Sequence, residues 1–431
     1  MKKITNAGKI GAAILMSSIM LLTVSGACFR GSALQSIQIE AGQTDIKTKM
    51  EQEFPPGNPI EPTGFVEWSK TFGSEYTDSG YCVQQTNDGG YIAVGHSFGL
   101  GIWLIKTDYS GNMEWDKYFD YYRWDYGWYV LQTTDGGYII LGETEKKYVL
   151  LIKTDDQGNM EWDRLISEKM ISQGRSIQQT RDGGYIIAGF TSPMNWGNSY
   201  DTWLLKVDAL GYKEWSQTFE RNYYNRAYAV KQTLDDGYIV VGAKTESVEG
   251  NADIWLIKTD DYGNLQWDKT FGSLSTWNEG YFIQLTSDGG YIIAGVYFLI
   301  KTDADGNEIW SKPIGGKCVQ QTTDGGYIIV GSEDKGLLQG GYDIKLTKTD
   351  SQGNIDWDQT FGGIVDDYGH FVQQTLDEGY IVVGSRAFWV PGSYPHVERD
   401  LWLIKTGEQP ESYSGDMLPV AMQVNQQSSQ L

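Results

Sequence analysis

The sequence predicts an all-β fold, a seven-bladed β-propeller with four antiparallel strands in each blade. Three observations lead to this prediction: two residue series that each recur seven times, a unit of four short β segments, and chain ends that complement each other. The first series is a tyrosine that follows glycine and precedes an apolar run: Tyr91, Tyr138, Tyr185, Tyr238, Tyr291, Tyr327 and Tyr380. The second series is a tryptophan in strings such as "GNMEW": Trp68, Trp115, Trp162, Trp215, Trp267, Trp310 and Trp357. Repeats of about 40–50 residues that hold several short strands are typical of propellers and solenoids.

Each repeat divides into four β segments, and the fourth repeat is the clearest example. Its segments are "AYAVKQT", "GYIVVG", "DIWLIKTD" and "NLQWDKTF", and short strings rich in Asp, Gly and Asn join the first to the second and the third to the fourth. Such strings favour tight hairpin turns because Gly and Asn accept positive φ. The run "YIVV" is apolar without alternation, which indicates a strand buried on both faces. We therefore expect each sheet to be packed between two neighbouring sheets.

The two ends of the repeat region predict a closed ring. Residues 65–72, "FVEWSKTF", form a lone fourth strand with no blade before it, and residues 401–406, "LWLIKT", form a third strand with no fourth strand after it. Pairing the first with the last completes a blade and removes the open sheet edges. A solenoid would instead need polar caps at its ends. The propeller is therefore predicted to span residues 65–406.

The N-terminal residues 1–27 are typical of an export signal, with Lys2, Lys3 and Lys9 ahead of an apolar stretch that ends in "VSGAC". Cys28 stands where a lipoprotein carries its lipid, although Ser25 occupies the place usually held by leucine. The residues leave lipidation, simple secretion and an uncleaved membrane anchor open, and in each case predict that the rest of the chain lies outside the cytoplasm. Residues 28–64 are predicted to be a Pro-rich flexible spacer, and 407–431 a disordered tail.

The charge of the chain restricts its partners. With 34 basic and 56 acidic side chains, the net charge is −22. Such a charge repels nucleic acids and anionic membrane surfaces, so we expect neither as a partner and expect membrane contact only through a lipid on Cys28. A monomer is expected, without a cofactor.

The full repeat, "QQTxDGGYIIAG…DxWLIKTDxxGNxxWxKTFGG", resembles repeats of secreted or surface-anchored bacterial and archaeal proteins, over about residues 65–406. It is also similar to the blade motif of quinoprotein propellers, whose spacing appears here in Asp155, Gly158 and Trp162. The resemblance does not extend to a quinone site. It therefore implies an architecture and a surface location, and no cofactor.

Residues that occur in every blade are interpreted first as structural. One set is a lysine of the third strand: Lys106, Lys153, Lys206, Lys258, Lys301, Lys348 and Lys405. A second set is a turn carboxylate: Asp88, Asp135, Asp182, Asp235, Asp288, Asp324 and Asp377. A charged functional rim is the alternative, but turn capping and Lys–carboxylate pairing account for both sets.

The variable loops form the predicted binding surface. The connections from the second to the third strand and from blade to blade share one face, and function tends to lie on such loops. Their aromatic residues are predicted to stack on sugar rings or grip a peptide, with local packing as the alternative: Tyr121, Tyr122, Trp124, Trp196, Tyr223, Tyr224, Trp277, Trp389 and Tyr394. The fifth blade, "GYIIAGVYFLIKTD", has almost no loop here, which predicts a notch in this face.

Histidine and cysteine give weaker signals. His96, His370 and His396 fall on two blades that become neighbours in the closed ring, so a transition-metal site is conceivable, but no short-spaced ligand pair supports it. Cys82 and Cys318 occupy equivalent positions in the first and sixth blades, which the seventh separates. They are predicted to be buried free thiols.

Three classes of function are consistent with these features. The favoured one is a binding module that presents its aromatic face to a glycan, an envelope polymer or a surface protein. The second is a glycosidase or lyase that uses loop carboxylates such as Asp125, Asp366 and Asp367, which would have to converge about 5–10 Å apart. The third is a structural surface or assembly component. The sequence contains no recognisable catalytic motif, so an enzyme is the less favoured interpretation.

Overall fold

The computed structural model confirms an all-β fold, since every regular element of the described residues is a β-strand. The structure describes residues 65–74, 76–122, 124–193, 200–219, 224–245, 251–272, 277–336, 341–389 and 397–408. Nothing in this part of the chain is a helix that could span a bilayer.

The strands form seven sheets of four antiparallel strands, and each sheet is one blade. Blade 1 consists of β2 (Asp78–Gln85), β3 (Tyr91–Ser97), β4 (Gly101–Thr107) and β5 (Met113–Phe119); blade 2 of β6 (Tyr126–Gln132), β7 (Tyr138–Glu143), β8 (Val149–Thr154) and β9 (Met160–Ile166); blade 3 of β10 (Ile171–Gln179), β11 (Tyr185–Ser192), β12 (Asp201–Val207) and β13 (Lys213–Phe219). Blade 4 consists of β14 (Arg226–Gln232), β15 (Tyr238–Thr245), β16 (Ala252–Thr259) and β17 (Leu265–Phe271); blade 5 of β18 (Gly280–Leu285), β19 (Tyr291–Gly295), β20 (Leu299–Thr302) and β21 (Glu308–Lys312). Blade 6 consists of β22 (Cys318–Gln321), β23 (Tyr327–Asp334), β24 (Tyr342–Thr349) and β25 (Ile355–Phe361); blade 7 of β26 (Tyr368–Gln374), β27 (Tyr380–Trp389), β28 (Val397–Thr406) and β1 (Val66–Phe72).

The hydrophobic core lies between the blades. The middle strands are buried along their length, as in β8 and β20, where every residue is buried. The residues of the outer strands are mostly exposed or half-buried, as in β9. This pattern confirms the expectation that the apolar runs have neighbouring blades on both sides, and each face that a blade buries adds hydrophobic stabilisation.

Short turns define one side of the ring, which we call the turn face; the opposite side is the loop face. In the first of these turns Asp88 accepts hydrogen bonds from the Thr86 hydroxyl at 2.5 Å and from the Gly90 amide at 3.0 Å. The buried ammonium of Lys106 then lies 2.9 Å from the same carboxylate. Equivalent ion pairs occur in the other six blades: Lys153–Asp135, Lys206–Asp182, Lys258–Asp235, Lys301–Asp288, Lys348–Asp324 and Lys405–Asp377. Pairing within each blade confirms the structural interpretation of both sets.

Tryptophans of the outer strands connect successive blades. Trp68 of β1 lies across the next blade's turn glycine, Gly111, where a Cβ atom would lie 2.7 Å from the ring. Gly111 also has a φ of 75°, so glycine suits this turn for two reasons. The same contact recurs around the ring: Trp115–Gly158, Trp162–Gly211, Trp215–Gly263, Trp267–Gly306 and Trp310–Gly353.

Glutamine side chains connect the innermost strands. Gln84 of blade 1 accepts a 2.7 Å hydrogen bond from the backbone amide of Gln132 in blade 2. In return, the Gln132 side chain accepts a 2.9 Å hydrogen bond from the amide of Asn87 in blade 1. Blades 7 and 1 are joined in the same way, through Gln85 and Gln373. The repeated "QQT" string therefore forms an inter-blade hydrogen-bond belt, which we call the glutamine belt.

The ring closes as predicted, because β1 completes blade 7. It pairs antiparallel with β28, from Val66 opposite Thr406 to Phe72 opposite Leu401. The Phe65 ring packs on Trp357 of blade 6 with 5.2 Å between centroids. Since residue 65 enters β1 and residue 407 leaves β28 at the same side, both ends of the described chain lie on the turn face.

Blade 5 has the shortest second and third strands of the ring, five residues in β19 and four in β20, which agrees with the predicted notch on the loop face. Only residues 296–298 join β19 to β20, and the link to blade 6 is also short. In that link the Gly316 amide donates to the Gly295 carbonyl at 2.9 Å. A Cβ atom at Gly315 would lie 2.1 Å from the Val296 carbonyl oxygen, so this part of the rim is built from closely packed backbone.

Candidate functional site

One position in each innermost strand differs from blade to blade, although the residue before it is glycine in six blades and alanine in blade 4. This small residue packs on the preceding blade; a Cβ atom at Gly80, for example, would lie 2.5 Å from Val383. The strand register shifts at this position, between Gly80 and Cys82, so Tyr81 is a bulge residue. The same bulge occurs in every other blade except blade 6. In blade 6, β22 begins at Cys318, one residue after the equivalent position, Lys317. β-bulges re-aim side chains and are common at functional sites.

These residues surround the loop-face end of the central channel, and we call them the mouth ring: Tyr81, Trp128, Arg175, Tyr228, Tyr281, Lys317 and His370. The Tyr81 ring lies 4.6 Å from Trp128 and 5.2 Å from His370 between centroids. On the other side of the channel, Tyr228 and Tyr281 lie 5.3 Å apart. The mouth ring is therefore aromatic and cationic, with no aliphatic side chain.

A floor of aromatic side chains lies one residue further along the strands. Phe371 of blade 7 contacts Tyr129 of blade 2 and Phe282 of blade 5, at 5.7 and 5.6 Å between centroids. Neither of those blades adjoins blade 7, so the contacts extend across the channel. Ligands that reach the mouth ring from the loop face therefore meet this floor.

Cys82 and Cys318 are buried free thiols beside the floor, as predicted. The Cys82 thiol donates to the Val130 carbonyl, with 3.6 Å between sulfur and oxygen. Burial raises the pKa of each thiol to about 12. Both remain protonated at neutral pH and are poor nucleophiles.

Cations of the mouth ring lie against aromatic faces. The Arg175 guanidinium is 4.5 Å from the Trp128 ring centroid and forms a 2.8 Å ion pair with Glu143. Lys317 holds its ammonium 3.3 Å from the Tyr281 ring centroid. The Lys317 side chain is exposed to the channel, yet the surrounding walls partly desolvate its charge and lower its pKa to about 8.

The predicted loop aromatics differ in their surroundings. Tyr121 packs locally, since its hydroxyl donates to Asp163 at 2.5 Å. Tyr122 lies beneath the Lys146 ammonium, at 4.2 Å from the ring centroid. Trp124 keeps 37% of its surface exposed and packs its edge on the Phe98 ring.

The remaining described aromatics are Tyr224, Trp277 and Trp389. Tyr224 lies between Trp277, at 5.5 Å between centroids, and the guanidinium of Arg226, at 4.0 Å. Trp277 is 41% exposed, and Trp389 ends β27 half-buried. Trp196, Tyr223 and Tyr394 lie outside the described residues. Tyr224 and Trp277 therefore extend the mouth ring outward along the loop face.

Two of the three histidines meet at Tyr81. The His96 Nδ1 lies 3.2 Å from the Tyr81 hydroxyl, and His370 packs on the same ring. Burial lowers the pKa of both imidazoles to about 4, so both are neutral at physiological pH. His396 lies outside the described residues, and within them no three His, Cys, Asp or Glu side chains are grouped as a metal would require.

The carboxylates considered for catalysis hold loops in place. Asp125 accepts the amides of Tyr121 and Tyr122, each at 2.7 Å. Asp367 accepts those of Ala387 at 2.7 Å and Gly363 at 2.9 Å. Burial raises the pKa of Asp367 to about 7, against the effect of these bonds. Both are buried beneath the links between blades, where they act as caps.

A cleft of about 560 Å³ opens on the turn face between blades 1 and 2, away from the mouth ring. Its lining includes Asp88, Lys106 and Glu114, which already pair with one another. The cleft thus follows from the scaffold, since Asp88 and Glu114 both pair with the repeated Lys106.

No protein-family model and no curated protein matches the chain. Among 501 matching chains of solved structures, a Bacteroides caccae protein of unknown function has a TM-score of 0.42 and 12% identity, covering 67% of this chain and 94% of its own. The Dos1 propeller has a TM-score of 0.47 and 11% identity, covering 80% of this chain and 82% of its own. YCF48 bound to D1 peptide has a TM-score of 0.48 and 10% identity, covering 81% of this chain and 100% of its own. These likenesses concern the fold and carry no functional argument.

Proposed function

We propose that this protein is a binding module that holds a glycan chain at the mouth ring on the loop face. The observation that carries the proposal is the mouth ring itself. Seven equivalent positions hold four aromatic side chains, two cations and a histidine, whereas the turns and the middle strands repeat from blade to blade. Unlike the equally variable floor residues, which pack on one another, these side chains face the opening of the channel, where a ligand can contact them.

The chemistry of the ring favours a sugar ligand. Peptide anchors usually enter apolar pockets, and the mouth ring has no aliphatic wall. Tyrosine and tryptophan offer flat apolar faces with polar edges, which suit rings that carry hydroxyl groups. The half-buried rings of Tyr81, Trp128, Tyr228 and Tyr281 are held by their neighbours, so a ligand that stacks on them orders few additional side chains.

Binding is favoured over catalysis because the candidate catalytic groups already have structural partners. Asp125 and Asp367 cap backbone amides, and Glu143 pairs with Arg175 and Lys147. His96 and His370 are neutral and packed on Tyr81. A glycosidase would need two carboxyl groups that face a shared space.

The positions of the chain ends support outward presentation. Residue 65 enters the ring at the turn face, and the preceding residues 1–64 hold the predicted export signal, Cys28 and spacer. A protein held from that side on a cell surface directs its loop face away from the surface. Secretion without a lipid would leave the same face available.

The first test is a binding screen of the purified protein against neutral and acidic oligosaccharides, followed by calorimetry. Trp128→Ala and Tyr281→Ala should each weaken binding at least tenfold, equivalent to about 1.4 kcal/mol. Tyr262→Ala is the matched control, because this tyrosine is 65% exposed on the turn face. Only variants whose melting temperature matches that of the unmodified protein are compared. Unchanged affinity in both mouth variants, or no binding to any oligosaccharide, would show that the proposal is wrong.

A further inference from the structure

Two cations near the mouth form no ion pair among the described residues, although the charge of the buried Glu279 acts on Lys317. Lys317 contacts the face of Tyr281, and Arg226 stacks on Phe190, Tyr200 and Tyr224 at 4.5, 4.3 and 4.0 Å. The Nε of Arg226 is also buried without a hydrogen-bond partner. Buried or enclosed cations are ordinarily paired, so both are free to accept an anion from outside.

The carboxylates of the same region are, in contrast, already satisfied. Glu143 pairs with Arg175, and Glu279 accepts the Tyr228 hydroxyl at 3.1 Å. Both glutamates are buried, at 2% and 7% exposure. The seven turn carboxylates lie on the opposite face. In a chain with net charge −22, the mouth is therefore a local exception that presents cations.

The notch at blade 5 connects this cationic mouth with the edge of the ring. Tyr297 is 53% exposed in the turn between β19 and β20, and Trp277 is 41% exposed at the boundary with blade 4. Between blades 5 and 6, the backbone of Gly315 and Gly316 forms the low rim beside Lys317. A chain that leaves the mouth here meets aromatic side chains and no tall loop.

We infer that the ligand is a linear uronate-bearing polysaccharide, whose sugar rings stack on the mouth aromatics while its carboxylates pair with Lys317 and Arg226 and its chain leaves over blade 5. This inference rests on the proposed function and adds the ligand's charge and path. Guanidinium and ammonium groups bind carboxylates through charge-assisted hydrogen bonds. Two free cations suit a polymer with well-spaced charges, whereas a nucleic acid with one charge per about 1.7 Å would be repelled by the rest of the molecule.

The test compares oligogalacturonate with the same oligosaccharide after methyl esterification of its carboxyl groups. We expect the purified protein to bind the acid form at least tenfold more tightly, with affinity that falls as salt rises. Lys317→Gln and Arg226→Gln should each lose most of this preference, and Lys317→Arg should keep it. Lys269→Gln is the control, because Lys269 contacts Asn307 on the outer wall, away from the mouth.

The outcomes separate the inference from the proposed function. Equal binding of the ester and the acid, still lost in Trp128→Ala, would leave the glycan-binding module standing and overturn the anionic ligand. Tighter binding of poly-L-glutamate than of either oligosaccharide, lost in Lys317→Gln, would overturn the sugar and favour an acidic peptide. Failure of every probe would overturn both.

Discussion

At the scale of single residues, the side chain differs between blades at the position two residues before the glycine (Ala227 in blade 4) that packs on the preceding blade. Asp78, Asp125 and Asp367 hold it in three blades, and Asn225 and Asn278 hold it in blades 4 and 5. The described carboxylates accept backbone amides of the adjoining link. At the equivalent position of blade 4, both polar side-chain atoms of Asn225 are buried without a hydrogen-bond partner, so the capping by aspartate is not repeated there.

This comparison leads to a pH prediction for Asp367. Burial raises its folded-state pKa to about 7, whereas an unfolded aspartate titrates near about 3.9. The stability contribution of the protonated carboxyl is therefore complete below about pH 4 and is lost as pH rises through about 7. Urea unfolding should show that the protein loses about 2 kcal/mol between pH 5 and pH 8.5 from this group.

Asp367→Asn should reduce that loss, because the amide does not titrate. Asp366→Asn changes the net charge equally, but Asp366 lies partly exposed and serves as the control. Parallel pH profiles for the Asp367→Asn variant and the unmodified protein would contradict the assignment.

Residue-scale sequence reasoning identified the scaffold and looked for the site among the loops, whereas the mouth ring that we propose lies on the innermost strands. It compared loops between blades, which selected Trp124 and Trp277, and it treated the strands as repeats. The variation from Tyr81 to Trp128 to Arg175 was visible in the same alignment, directly after a repeated glycine. What the sequence could not supply was the bulge that turns this position toward the channel, because register depends on the neighbouring strand.

At the scale of strands and turns, the glutamine belt indicates where the ring is weakest. The first glutamine is replaced by Leu131 in blade 2 and by Lys231 in blade 4. The backbone amide of Gln132 donates to the Gln84 side chain. The equivalent amide of Gln179 in blade 3 faces Leu131, which offers no acceptor. The blade 2–blade 3 and blade 4–blade 5 junctions depend more on apolar packing than the others do.

Leu131→Gln should restore the missing bond and stabilise the protein by about 0.5–1 kcal/mol, the usual net value of a hydrogen bond less some apolar burial. The reverse change, Gln84→Leu, should destabilise by a similar amount because the Gln132 amide loses its acceptor. Guanidinium denaturation of both variants measures the difference. A destabilised Leu131→Gln protein would mean that apolar contact is worth more than the belt at this junction.

Strands and turns were largely predictable from the sequence. Runs such as "YIVV" and turns such as "DYGN" specify hairpins locally, and the structure has β15 and β17 at those places. The roles of Lys258 and Asp235 as partners also followed from recurrence. The glutamine belt was not anticipated, since its bonds join blades about 50 residues apart and a pattern of single strands carries no information on blade spacing.

At the scale of the whole molecule, closure by β1 determines whether the ring exists at all. Without residues 65–72, blade 7 would have three strands and an open edge at β28, and Trp357 would lose the Phe65 ring. We expect a protein lacking these residues to show no cooperative thermal transition and to aggregate.

A permuted chain, in which β1 is moved behind β28, tests whether the ring needs β1 only as the fourth strand of blade 7. Residues 66–72 are placed after Thr406 through a copy of the turn at 155–159, so that blade 7 becomes continuous. Its circular dichroism melting curve should match that of the intact protein, because β1 contributes by position and not by chain order. Failure of the permuted chain to fold would show that β1 has another role.

The blade count and the closing strand could be derived from repeat spacing and from the two incomplete ends. The aromatic floor, with Phe371 between Tyr129 and Phe282, could not, because those residues belong to blades that are not neighbours in sequence or in space. Only the diameter of the closed ring brings them together.

The entry of the chain at the turn face also determines how the molecule carries mechanical load. When the chain before residue 65 is fixed and a ligand pulls on the loop face, tension runs along the axis of β1. The ladder from Val66–Thr406 to Phe72–Leu401 is then loaded in shear, so its hydrogen bonds resist together and do not open one after another. The strand that closes the ring is thus also the strand that would bear the force between the fixed chain end and the ligand.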